Sequence, residues 1–110
     1  SLELATSYFR LNQWSEAKIL CERHIQKVDS EDALQVKLRL LLAQIEYEDK
    51  QYERAKRWSD DALVIVERLD ERQLLAKTLT VHAQILIEQH QERQAIEYLL
   101  RSNQIYENLL

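Results

Sequence analysis

In stretches such as Ala17, Leu20, Cys21, His24 and Val28, core-type residues recur at steps of three, four, seven and eleven. That spacing keeps them on one stripe of a 3.6-residue helix. No stretch alternates with the period of two that strands need. Strong helix formers (Leu, Ala, Glu, Gln, Lys, Arg) fill the remaining positions. The pattern predicts six helices, near residues 2–12, 15–28, 31–50, 53–69, 71–90 and 93–109.

Local chemistry accounts for some of the breaks. The cluster Asp29-Ser30-Glu31-Asp32 suits a helix start, where short side-chain oxygens accept from free backbone N–H groups. Asp70 followed by Gln73 resembles a capping box. The breaks at Asn12-Gln13, Lys50-Gln51 and His90-Gln91 have little local signal and emerge only when segments are compared.

Three segments share a frame: LATSYFRLNQWSEA from Leu4, LAQIEYEDKQYERA from Leu42 and HAQILIEQHQERQA from His82. Leu4 to Leu42 is 38 residues, and Leu42 to His82 is 40. Each segment has a small residue second (Ala5, Ala43, Ala83) and ends on Ala17, Ala55 or Ala95. An aromatic, Trp14 or Tyr52, precedes the last Ala in two of them; the third has Glu92. Small residues let two helices approach closely, and the aromatic fills the gap where they diverge. The following helices carry matching stripes: Ala17, Leu20, Cys21, His24, Val28; Ala55, Trp58, Ser59, Ala62, Val66; and Ala95, Tyr98, Leu99, Ser102, Tyr106. One helical pair cannot bury such a stripe alone, so neighbours must stack.

LATSYFRLNQWSEA resembles the core of a tetratricopeptide repeat, with its small, aromatic and Ala positions present. The family period is about 34 residues, so these longer spacings imply helices extended by about a turn. The longer form is similar to repeats in bacterial transcription regulators of the maltose-activator and peptide-pheromone types, and to eukaryotic cell-polarity scaffolds. The family's helix-ending Pro is absent, and its turn Gly is replaced by Asn12, Lys50 and His90. The resemblance implies an all-α, right-handed superhelical solenoid of three hairpins, over residues 1–29, 30–69 and 70–110. A coiled coil, the rival, would need heptads that leave the Ala and aromatic placement unexplained.

Composition narrows the function. The 110 residues are 45% hydrophobic and 31% charged, with net charge −4, which fits a domain that buries a core. No Lys/Arg-rich run exists, so phosphate-backbone binding lacks its usual footprint. The longest apolar run, Leu40 to Ala43, is far too short to span a bilayer. A lone cysteine, Cys21, fits a reducing compartment, and a cytoplasmic location is expected. Without Gly, phosphate-cradling glycine loops are impossible here. The lack of Met and two helical ends suggest a segment of a longer solenoid.

Candidate chemistry is thin. The carboxylates fall in faces read as solvated, such as Glu46, Glu48, Asp49, Asp60 and Asp61. His82 and His90 are eight apart, not the four that places two imidazoles on one helical face. His24 reads as a packing histidine and Cys21 as an inert buried thiol. Neither catalysis, a cofactor nor a metal is expected.

By the resemblance, the first helix of each pair lines a concave groove. Its columns would be Leu2, Leu40, Thr80; Thr6, Gln44, Gln84; and Phe9, Tyr47, Ile87. A further row holds Arg10, Glu48 and Glu88, with Lys37 and Lys77 one helical stretch earlier. Gln amides can pair with an extended peptide backbone, and Phe9 and Tyr47 offer apolar contact. Solvated helix glutamines would account for the same pattern without a ligand. The carboxylate clamp of chaperone-binding relatives is missing, since its first positions hold Leu2 and Thr6. The expected role is a protein- or peptide-binding module of a signalling or regulatory protein. The alternative is an architectural segment, associating with itself through exposed end faces or packing on other domains.

Overall fold

The computed structural model describes residues 2–27 and 31–110. Among these are six α-helices and no strand: α1 (Leu2–Arg10), α2 (Trp14–Lys27), α3 (Ala33–Glu48), α4 (Tyr52–Val66), α5 (Arg72–Glu88) and α6 (Glu92–Leu109). The chain is all-α, and each helix begins and ends within a few residues of its expected place. Val28, Asp29 and Ser30, expected at the end of α2 and the start of α3, lie outside the described residues. None of the helices among the described residues is long and apolar enough to cross a membrane.

Helix ends follow local chemistry where the sequence supplies it. Asp32 caps α3, its carboxylate accepting from the Gln35 N–H at 3.1 Å. The capping box expected at Asp70 is not formed. Glu71 occupies the N-cap of α5 without a side-chain bond, so Asp70 lies one residue too early to reach the free N–H groups. Beyond Val66, Arg68 N–H bonds Ile65 O at 3.0 Å and Leu69 N–H bonds Val66 O at 3.1 Å. These tighter bonds satisfy the last carbonyls and end α4 before residue 69.

The three hairpin turns are alike. Asn12, Lys50 and His90 adopt φ of 60°, 60° and 62°, the left-handed region that favours glycine. Around each turn, one N–H reaches back three residues and the next reaches back five. Lys50 N–H bonds Tyr47 O at 3.0 Å and Gln51 N–H bonds Glu46 O at 2.8 Å. Asn12 with Gln13, and His90 with Gln91, repeat that pair of bonds. This is the Schellman arrangement, which absorbs carbonyls a helix end leaves free.

The hairpins α1–α2, α3–α4 and α5–α6 stack in order, α2 on α3 and α4 on α5. Across pairs, α1 packs on α3 and α3 on α5, whereas α2, α4 and α6 do not pack on one another. The odd helices therefore form one layer and the even helices flank it. At the hairpin crossings Ala5, Ala17, Ala43, Ala55, Ala83 and Ala95 are all 0% exposed. Leu, Ile and Val from α3, α4 and α5, with Ile105 of α6, build the larger core. A second cluster joins α1, α2 and α3, and Trp58 packs against both. The expected stripes are buried at Cys21, Ser59, Ala62, Val66 and Ser102, but Leu99 and Tyr106 are exposed. They lie on α6, which among the described helices packs on α5 alone.

Lys50→Gly and His90→Gly should each raise unfolding free energy by about 1 kcal/mol, because glycine removes the steric penalty of positive φ. Asn12→Gly should gain less, since Asn tolerates this region. Urea denaturation midpoints check this; a loss of stability in Lys50→Gly contradicts the turn account.

Candidate functional site

The layer of odd helices exposes a groove of about 500 Å³. α1 supplies Leu2, Thr6, Phe9 and Arg10; α3 supplies Lys37, Leu40, Leu41 and Gln44; the start of α5 supplies Gln73, Leu74 and Lys77, beside Glu71. Of the expected contact residues, Thr6, Phe9, Arg10, Lys37, Leu40, Gln44 and Lys77 are brought together here. Leu40 and Leu41 are buried and form the floor. Thr6 donates its hydroxyl to Leu2 O at 2.8 Å, which leaves its methyl and oxygen lone pairs for the groove. Arg10, Lys37 and Lys77 stand exposed on the rim and make no ion pair with any described residue.

The remaining expected residues lie elsewhere. Tyr47, Gln84 and Ile87 are on the same layer but outside the groove lining. Tyr47 is half-buried, edge-on to Tyr52 with ring centroids 5.6 Å apart, and donates to Glu88 Oε1 at 3.2 Å. Burial first, and then the Glu88 charge, push the Tyr47 phenol pKa up, so it remains a donor at neutral pH. Thr80 departs from expectation. Its hydroxyl donates to Ala76 O at 3.0 Å and lies 2.8 Å from Ser102 Oγ, so it serves the α5–α6 contact. Leu41, Glu71, Gln73 and Leu74 were not anticipated in the lining. For Gln73 a signal existed: it precedes Lys77 by one helical turn.

Glu46 corrects another expectation. Its side chain is only 2% exposed, with Lys18 Nζ 2.7 Å from Oε1 and Arg54 Nη1 3.7 Å from Oε2. It belongs to a second cavity of about 440 Å³ between α2, α3 and α4, lined by Lys18, Glu22, Glu46, Arg54, Arg57, Trp58 and Asp61. Three cations face three anions there, so the cavity largely neutralises itself and selects no charge.

Ser59, His82 and Asp60 bring a hydroxyl, an imidazole and a carboxylate together. Ser59 Oγ lies 2.7 Å from His82 Nδ1, and His82 Nε2 lies 3.6 Å from Asp60 Oδ1. Ser59 Oγ also lies 3.0 Å from Lys56 O, so its single proton goes to that carbonyl or to Nδ1 according to the tautomer of the ring. Both side chains are buried, and the Tyr98 ring closes the site edge-on at 4.8 Å. Ser59 and His82 are thus packed between α4 and α5 with a hydrogen bond joining them. Burial lowers the His82 pKa and Lys56 adds to that, while Asp60 opposes it. Cys21 is also buried, and desolvation, with Glu22 adding to it, pushes its thiol up to about 11. It stays protonated and unreactive at neutral pH.

Compared with protein-family models, curated proteins and solved structures, the chain matches none.

His82 gives a pH dependence whose sign follows from its shift. Its folded pKa lies below the ordinary value of 6.5, so the unfolded chain binds the extra proton first. Stability should fall as pH drops below about 6.5 and level off below the folded pKa. His82→Asn should be less stable at neutral pH but lose less between pH 7.5 and pH 5, read from urea midpoints. An equal loss in both proteins would show that His82 is not the titrating group.

Proposed function

We propose that the chain is a protein- or peptide-binding module of the tetratricopeptide type, an extended right-handed solenoid whose odd-helix layer holds an extended peptide. The observation that carries this reading is the groove. It sets a Leu40–Leu41 floor, with Phe9 and Gln44 in the lining, under three cations that form no ion pair with any described residue. The chain as a whole carries net charge −4, so a cationic rim on this face is a local choice of sign.

The two kinds of contact do different jobs. Burying one apolar side chain on the floor contributes about 1.5–3 kcal/mol. Each exposed Lys–carboxylate pair adds only about 0.2–1 kcal/mol and weakens with salt. An apolar anchor would thus set affinity, and acidic neighbours would set orientation and association rate. The module acts in the cytoplasm in this reading, as the sensing part of a larger regulatory protein, and carries no catalytic step. A second reading, an architectural segment, draws on the exposed apolar residues of α6.

Selection of random peptides displayed on phage against the chain tests the proposal. Recovered peptides should pair an apolar residue with Asp or Glu, and Lys37→Glu with Lys77→Glu should weaken them about tenfold, or ~1.4 kcal/mol. Gln44→Ala should weaken them further at unchanged helicity. Binders indifferent to all three substitutions would place the site elsewhere.

A further inference from the structure

We propose that the α4–α5 junction is a proton-operated latch, in which protonating His82 loosens the third hairpin from the second. The latch does not rest on the groove reading, although α5 carries one wall of that groove.

The two junctions between hairpins use the same positions with different chemistry. In the first, Cys21 of α2 and Leu42 of α3 are both 0% exposed and belong to one apolar cluster. The matching residues of the second are Ser59 of α4 and His82 of α5, 0% and 3% exposed. Their Oγ and Nδ1 atoms are 2.7 Å apart. A thiol and hydrocarbon at one junction thus become a hydroxyl and an ionisable ring at the other. Leucine fills this place in the first junction, so what the histidine adds is a second charge state.

The groups facing the ring decide what a proton does there. α4 presents Asp60, with Oδ1 3.6 Å from Nε2, and Lys56, whose Nζ lies 3.8 Å from Asp60 Oδ2. α6 presents the Tyr98 ring edge-on at 4.8 Å. The Asp60 side chain is 48% exposed, so water screens it, and Lys56 shares its charge. A proton on His82 is therefore buried opposite a weakened partner. Burial lowers the His82 pKa below 6.5, with Lys56 adding to it and Asp60 opposing. The ring accepts a proton more readily in water, and it meets water once α4 and α5 part. The closed junction is thus most favoured above pH 6.5 and weakens as pH falls toward the lowered value. At pH 5.5, one unit below the ordinary value, opening can rise by at most about tenfold.

Other links across the junction keep their charge in this range. Arg101 donates to both Glu67 carboxylate oxygens, at 2.7 and 2.9 Å, and joins α6 to the residue that follows α4. That pairing holds the Glu67 carboxyl below its ordinary 4.5, so it stays ionised at pH 5.5.

Amide hydrogen exchange of the chain at pH 7.5 and pH 5.5, corrected for intrinsic rates, reads the latch helix by helix. A hairpin cannot bury its stripe alone, so α5 and α6 lose protection when released. Their opening should rise by up to about tenfold at pH 5.5, while α1, α2 and α3 change less. Ser59→Cys with His82→Leu copies the Cys21–Leu42 pair and should abolish the response. His82→Gln, neutral at both pH values, should abolish it too, whereas His90→Gln, in an exposed turn, should keep it. Unchanged protection at pH 5.5 overturns the proposal, and so does an equal loss in all six helices, which marks global unfolding. A response that survives in both His82 variants overturns it as well. No ligand enters the measurement, so its outcome is separate from that of the peptide selection.

Discussion

Close approach at the hairpin crossings governs the rest of this structure. At each crossing two alanines, one per helix, are fully buried: Ala5 with Ala17, Ala43 with Ala55, Ala83 with Ala95. A larger side chain there would push the helices apart. Because the paired helices come so near, the chain must reverse within a few residues. Asn12, Lys50 and His90 accept positive φ for that reason, although none is glycine. The penalty of order 1 kcal/mol per turn is small beside the apolar area that stacking buries. Each hairpin leaves a stripe for its neighbour, so α2 takes α3, α4 takes α5, and the odd helices fall into one continuous layer.

Much of this was legible in the sequence, for steric reasons. Alanines at fixed positions in three segments locate the crossings without reference to any partner. The places of the turns were legible only through that frame, since Lys50 and His90 carry no turn signal of their own; their positive φ came from the structure. Glu46 was misread because a glutamate in a helix ordinarily faces water; its burial depends on Lys18 arriving from α2. Thr80 was misplaced because its column is read from one helix at a time. What turns its hydroxyl away is Ser102, on a helix formed later in the chain. Sequence spacing records which face a residue occupies, and the neighbouring helix decides whether that face is covered.

The same distinction separates the two surfaces. Around the even helices, charges meet charges: Lys18 and Arg54 on Glu46, and Lys56 on Asp60. Over the groove, Arg10, Lys37 and Lys77 have no ion-pair counterpart among the described residues, and they surround a buried apolar floor. A surface whose charges are already paired has little to offer a ligand. One whose cations are unpaired, over hydrocarbon, retains both attraction and desolvation energy for a partner.

The most direct test of the groove as the working surface is amide chemical-shift mapping of the ¹⁵N-labelled chain. The titrant is an acidic, singly apolar peptide recovered by display. The account predicts shifts concentrated at Thr6, Phe9, Lys37, Gln44 and Lys77, with the even helices nearly silent. Shifts confined to α2, α4 or α6 would contradict it.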